Sequence, residues 1–182
     1  MIKESVLDDT HFQAVDAHRR IANTVRAGTV TAIDYSQARA RVSMGGNVTA
    51  WVPWQTARAG AGRISWNPPQ IGEQVVVVSP SGDPALAFIS HSLYSQAQPA
   101  PAGATGNQQI EQMPDGTVLS YDWSVHALSV SGPQTVIVTA QNSITVQVGN
   151  ISLVIDSSGV QITGNLNVQG NITATGTIQG GA

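Results

Sequence analysis

Three groups of residues have types that can do chemistry. Trp51, Trp54 and Trp66, with Arg58 and Arg63, could form a base-stacking platform of the kind small β-barrels offer to single-stranded nucleic acid. His11 and His18 share one face of a helical segment, but seven residues span about 10 Å along the axis, too far for one ion to be held by both. Asp115, Asp122 and His126 have acid/base types, yet no nucleophile or glycine-rich loop is placed beside them. Glu73 and Glu111 are the only glutamates after Glu4, so the paired carboxylates of a glycosidase are hard to assemble. A net charge of −3 without a basic stripe speaks against a nucleic-acid partner. The tryptophans therefore read as barrel core and subunit packing, and the histidines as solvated helix residues. No residue is assigned a catalytic, cofactor-binding or metal-binding role.

The elements that carry these residues differ sharply in charge. All 8 basic residues lie between Lys3 and Arg63, and the remainder carries six acids and no base. With no cysteine there is no disulfide framework and no thiolate metal site, which suits assembly in a reducing cytoplasm. The opening "MIKESVLDD" lacks the apolar core of a signal peptide, and no stretch approaches the ~20 apolar residues of a spanning helix. Contact with a membrane must then be mechanical or peripheral.

Residues 8–27 form the one helical pattern. Asp8 or Asp9 is placed to cap it, Phe12, Val15, Ala22 and Val25 make its apolar stripe, Gly28 ends it, and a cationic last turn suits the dipole. From Gly28 to Leu93 short strands alternate with turns. "GTVTAID" and "ARARVSM" flank the polar "YSQ" as a hairpin, "VTAWVPW" is a third strand halted by Pro53, Val75–Val78 reads as a buried run, and Ala85–Ser90 as a last strand. Five short strands suit a small closed barrel of the OB type. "YSQAQPAPAGATGNQ" is an uncharged linker, too short to hide a folded module.

After the linker, apolar residues alternate with small polar ones. The candidate core positions are Val136, Val138, Ile144, Val146, Val148, Leu153, Ile155, Val160, Ile162, Leu166, Val168 and Ile172. Parity slips between Val148 and Leu153 and between Ile155 and Val160, each time at a glycine-containing turn. From Trp123 to the end the only charged side chain is Asp156. A lone ribbon of this kind leaves its apolar row uncovered and its edges unpaired, without the lysines that usually blunt an edge. Identical copies can satisfy one another if three wind about an axis, each strand pairing with neighbours from other chains. Alternation alone also permits a single-chain solenoid, although that needs regular coils of about twenty residues or more.

The strings "GTVTAIDYSQARARV", "TAWVPWQTARAGAGRISWNPPQIGEQVVVVSPSGDP", "ISHSLYS" and "MPDGTVLSYD" resemble the phage baseplate assembly protein V family, the central spikes of contractile tails and R-type tailocins. The resemblance covers most of the chain after residue 24. It implies an all-β homotrimer laid out as a helical segment (1–27), an OB-fold collar (28–94), a linker (95–108) and an intertwined triple-stranded β-helix spike (109–182). It also implies a place at the tail baseplate tip of a virion or tailocin, with hub and tail tube proteins above, and passage through the target cell outer membrane on sheath contraction. Many members end in an apex whose His-x-His pair binds iron. Here the last histidine is His126 and the sequence closes on "TIQGGA", so no metal ligand carries over, and iron would enter only with an apex beyond Ala182. The neighbouring readings are a contractile secretion-system tip, which an extra C-terminal domain would mark, and a trimeric receptor-binding fibre, which would expose aromatics along its shaft.

Overall fold

The computed structural model describes residues 2–180, with side chains described from residue 11. Helix α1 runs over Ile2–Thr24. The capping roles expected of Asp8 and Asp9 concern side chains outside the described residues, and the helix passes through both positions. Its end also differs from the expectation. Strand β1 (Val25–Asp34) starts before Gly28, because Val25, Arg26 and Ala27 take ladder partners Val78, Val77 and Val76. Arg26 is thereby drawn out of the helix, so the last turn has no basic residue and the expected dipole contact is absent. Arg26 Nη2 instead donates to the Met44 carbonyl at 3.1 Å. On the exposed side of α1, Asp16 accepts from both Arg19 and Arg20, at 2.6 and 2.8 Å.

Strands β2 (Arg39–Met44), β3 (Asn47–Val48), β4 (Val52–Pro53), β5 (Ala59–Gly60), β6 (Arg63–Ile64), β7 (Gln74–Val78) and β8 (Phe88–Leu93) follow. The segment expected as one strand, residues 48–54, is two. β3 pairs with the end of β2 at Ser43 and Met44, while β4 pairs with its start at Arg39 and Ala40. Thr49 bridges the gap, its N–H donating to the Val42 carbonyl and its Oγ1 accepting the Val42 N–H. A closed ring results. β1 pairs with β2 and β7, β2 with β4, and β7 with β8. A parallel bridge between Trp54 and Ile89, with the Gln55 N–H donating to the Ile89 carbonyl at 2.8 Å, then seals β4 to β8. Closure leaves this sheet few open edges.

Side chains alternate across each strand, so Val75 and Val77 point inward while Val76 and Val78 stay half-buried. The expected buried run of four valines thus narrows to two. With Val30, Ala40, Val42, Val52, Ala87 and Ile89 they make the core, against which Ile33, Met44 and Trp54 pack. The β7–β8 connection passes through 3-10 turns at Pro80–Gly82 and Pro84–Leu86, and it anchors α1. The Ser79 N–H donates to the Thr24 carbonyl at 2.8 Å, and Gly82, at φ 69°, lies so close that a Cβ would come within 2.2 Å of the Arg20 carbonyl oxygen.

The chain divides into compact units at Ile110/Glu111. Strands β9 (Gln108–Gln112), β10 (Val118–Asp122) and β11 (Ala127–Ser131) form one three-stranded sheet, and β12 (Ser143–Val148), β13 (Ile151–Asp156) and β14 (Gly159–Thr163) another. Where pairing between copies is expected, these strands pair within one chain. Residues 132–142 and 164–180 contain no strand among the described residues.

Gly82→Ala should destabilise the collar by about 1–3 kcal/mol, the cost of a strained left-handed backbone plus the displacement of α1. Denaturant unfolding followed by tryptophan fluorescence measures this, and an unchanged midpoint would show that α1 does not depend on the contact.

Candidate functional site

Most of the collar's tryptophan and arginine side chains are engaged within the chain, while Arg63 lies exposed on β6. Trp54 is half-buried on the core and meets Trp66 edge-on, with centroids 5.4 Å apart. Trp51 lies beneath the Arg41 guanidinium at 5.8 Å. Arg39 donates to the Trp51 carbonyl at 2.8 Å, Arg41 to the Thr49 carbonyl at 3.1 Å, and Arg58 to the Ala57 carbonyl at 2.6 Å. The Arg39 and Arg41 guanidiniums, spent on these carbonyls, hold the β3–β4 connection in place, while Arg58 reaches only the carbonyl of its own neighbour. They are poorly placed to follow a phosphate backbone, where several free cations must act together.

His11 and His18 lie on one face of α1 beside Val15, Arg19 and Ala22. No group of three His, Cys, Asp or Glu able to hold a metal ion occurs among the described residues. The carboxylates of the acid/base set serve turns. Asp115 accepts the Thr117 N–H and hydroxyl at 2.9 and 3.1 Å, and Asp122 accepts the Ser124 N–H and hydroxyl at 2.9 and 2.6 Å. His126 closes the β10–β11 hairpin at φ 54°. Glu73 accepts the Gln70 N–H at 2.6 Å and meets the Ser92 hydroxyl. Asp122 and His126 share the β10–β11 turn, whereas Asp115 belongs to the turn before β10.

What stands out is a sheet face. In β12–β14 the register sets Ile144 opposite Ile155, Val146 opposite Leu153, and Val148 opposite Ile151. β14 continues these rows, with Val160 beside Ile155 and Ile162 beside Leu153. Residues opposite one another share a face, so all eight branched apolar side chains lie on one side. The other side carries Ser143, Thr145, Gln147, Ser152, Val154, Asp156, Gln161 and Thr163. The apolar side is open to solvent in a single copy, with Val148 80% exposed and Val146 59%. A contiguous apolar face of this kind marks an interaction surface. Leu119 and Tyr121 of β10, opposite Val130 and Leu128 of β11, form a smaller patch of the same character.

Of the twelve positions read as core, seven therefore converge on this face: Ile144, Val146, Val148, Leu153, Ile155, Val160 and Ile162. Val136, Val138, Leu166, Val168 and Ile172 lie outside any strand and are exposed. Ile151, Leu119 and Tyr121 escape the sequence reading. Ile151 would follow from running the alternation of Ile155 and Leu153 back to the two-residue Gly149–Asn150 turn. Leu119 and Tyr121 are obscured by Val118, which occupies the opposite face of β10 from Leu119.

Residues 26–94, the closed barrel, match the family model of the Type VI secretion system/phage-baseplate injector OB domain. The chain belongs to this family of baseplate spike proteins. Over 172 residues it is 35% identical to the spike protein of Escherichia phage P2, an alignment covering 88% of this chain and 81% of that protein.

The turns carry a pH dependence. The Ser158 hydroxyl and N–H hold the Asp156 carboxyl below its ordinary value of 3.8, the Thr117 N–H and hydroxyl do so for Asp115, and the Ser36 hydroxyl and Gln37 N–H for Asp34. A depressed folded-state value means stabilisation that is complete above the ordinary value and fades as pH falls through the folded one. Below about pH 4 the melting temperature should therefore drop. The drop should be shallower in Asp156→Asn, and identical acid profiles for the two proteins would show that this turn contributes nothing.

Proposed function

We propose that the protein is the non-enzymatic central spike of a contractile tail baseplate, a homotrimer that pierces the target cell outer membrane when the sheath contracts. The observation that carries this reading is the eight-residue apolar face of β12–β14, which a single copy leaves in water. Three copies around an axis would cover it. The candidate axis residues are the seven on that face together with Val136, Val138, Leu166, Val168 and Ile172. The plan is a helical segment (1–27), an OB-fold collar (28–94), a linker (95–108) and a spike (109–182). Charge concentrated on α1 and the collar suits docking to hub and tail tube proteins, because a charged surface selects partner and register. The nearly neutral spike needs stiffness under axial load more than selectivity, and it requires no cofactor.

Assembly in the host cytoplasm followed by incorporation at the tip of a virion or tailocin fits a chain without cysteine. Asp115, Asp122 and Asp156 each accept hydrogen bonds within a turn, a use of carboxylates that suits a mechanical role. A second reading, the tip of a contractile secretion system, is favoured by the family description, which names both machines. Its discriminating test is co-purification with a sheath and baseplate against co-purification with a cell-anchored apparatus.

Light scattering should return three times 18.9 kDa for the native protein, and a monomer would sink the spike reading. Val146→Asp and Ile162→Asp place like charges around a dry axis, where each unpaired carboxylate costs several kcal/mol. Both variants should lose trimer completely, and recovery of normal trimer from either would mean that these side chains face outward.

A further inference from the structure

We propose that over residues 143–163 each copy builds its own wall of the shaft, a self-paired three-stranded meander, and that the copies meet through the apolar faces of these walls. Interlacing of strands between copies falls in the flanking stretches, 132–142 and 164–180. This rests on the trimeric reading and deepens it.

The connections decide the matter. β12 and β13 are joined by Gly149–Asn150 alone, and Gly149, at φ 55°, supplies the positive first position that a tight hairpin turn uses. Gln147 Nε2 locks the turn by donating to the Gly149 carbonyl at 2.9 Å. A two-residue connection can only set its flanking strands side by side, so a strand from another copy cannot lie between them. β13 and β14 are joined as tightly. Asp156 pairs with Gly159 across Ser157 and Ser158, and the Asp156 carboxylate accepts the Ser158 N–H and hydroxyl at 2.7 and 2.6 Å. Registers run unbroken from Ser143↔Asp156 to Val148↔Ile151 and from Ser152↔Thr163 to Asp156↔Gly159. Both sides of β13 are thus filled from its own chain.

The flanking stretches lack such turns. Val136, Ile137 and Val138 precede the meander, and Leu166, Val168 and Ile172 follow it, all exposed and without in-chain strand pairing among the described residues. Backbone groups there are available to neighbouring copies. The occupant of the apolar face is two further copies of the same chain. A wall whose only charge is Asp156, on the opposite side, gives an unlike partner no charge to read, and identical neutral faces can close threefold.

The absence of cysteine allows a direct test. Alternation from the turn makes Val148↔Ile151 a hydrogen-bonded pair and leaves Gln147↔Ser152 and Thr145↔Val154 non-hydrogen-bonded, with Cα atoms about 4.5 Å apart, inside the range a disulfide spans. Two double variants of the full chain, T145C/V154C and Q147C/S152C, would be oxidised as native trimers, then denatured without reductant and sized. The expected product migrates as a single chain with no free thiol, while the native mass stays trimeric. Disulfide-linked dimers and trimers would overturn the proposal and leave the trimeric spike intact. So would free thiols in both variants. An in-chain disulfide in a protein of monomeric native mass would instead sink the trimeric reading, and the facing of walls with it. V168C, in the flank, should cross-link pairs of chains; a flank cysteine that stays reduced in native trimers would refute lacing there.

Discussion

An apolar sheet face cannot remain in water, and most of what distinguishes this protein follows from that. In the collar the requirement is met within one chain. The sheet curls until β4 reaches β8 through the Trp54–Ile89 bridge, and Val42, Val75 and Val77 vanish into a closed interior. In β12–β14 it is not met. The strands of that sheet are five or six residues long, and two or three short strands are marginal by themselves. The collar's solution is available to a single molecule, and the trimer proposed above would supply the other.

The contrast explains where charge sits. A collar that folds alone can afford arginines on its surface, and it uses Arg39 and Arg41 to brace the β3–β4 connection from outside. On the trimeric reading proposed above, a sheet packing against copies of itself would have to avoid repeating any charge across the contact, because like charges brought together without water repel strongly. The sole charged side chain after Asp122 is Asp156, which lies on the polar side and is tied into a turn by Ser158.

Much of this was legible in the residues. Alternation marked the barrel strands, and the run ending at Ile162 marked an apolar row. The places where reading failed share a cause, namely partners distant in sequence. Val25 continues the stripe of Ala22 and so looks helical, but its backbone is claimed by Val78 of β7. Residues 48–54 look like one strand, but β2 is long enough to pair with both ends and not the middle. Val148, Leu153 and Val160 seemed to fall out of phase. Two tight turns restore the phase, and turn geometry is set by backbone angles at Gly149 and Gly159 that alternation does not report. Ile151 was hidden by the same reset. The apolar face was therefore visible as composition before it was visible as geometry.

The position of Asp156 has one more implication. Its carboxylate is on the outer side of the wall, and no side chain from Ser157 onward carries a formal charge. In a threefold shaft this would make a single anionic band, followed over residues 157–180 by side chains that are apolar, or polar but neutral. On the membrane-piercing reading proposed above, residues 157–180 would carry no ionised side chain into hydrocarbon, where the Born energy of even one carboxylate is large. Within residues 143–180 the Asp156 band would then be the one ring of charged side chains to feel that resistance.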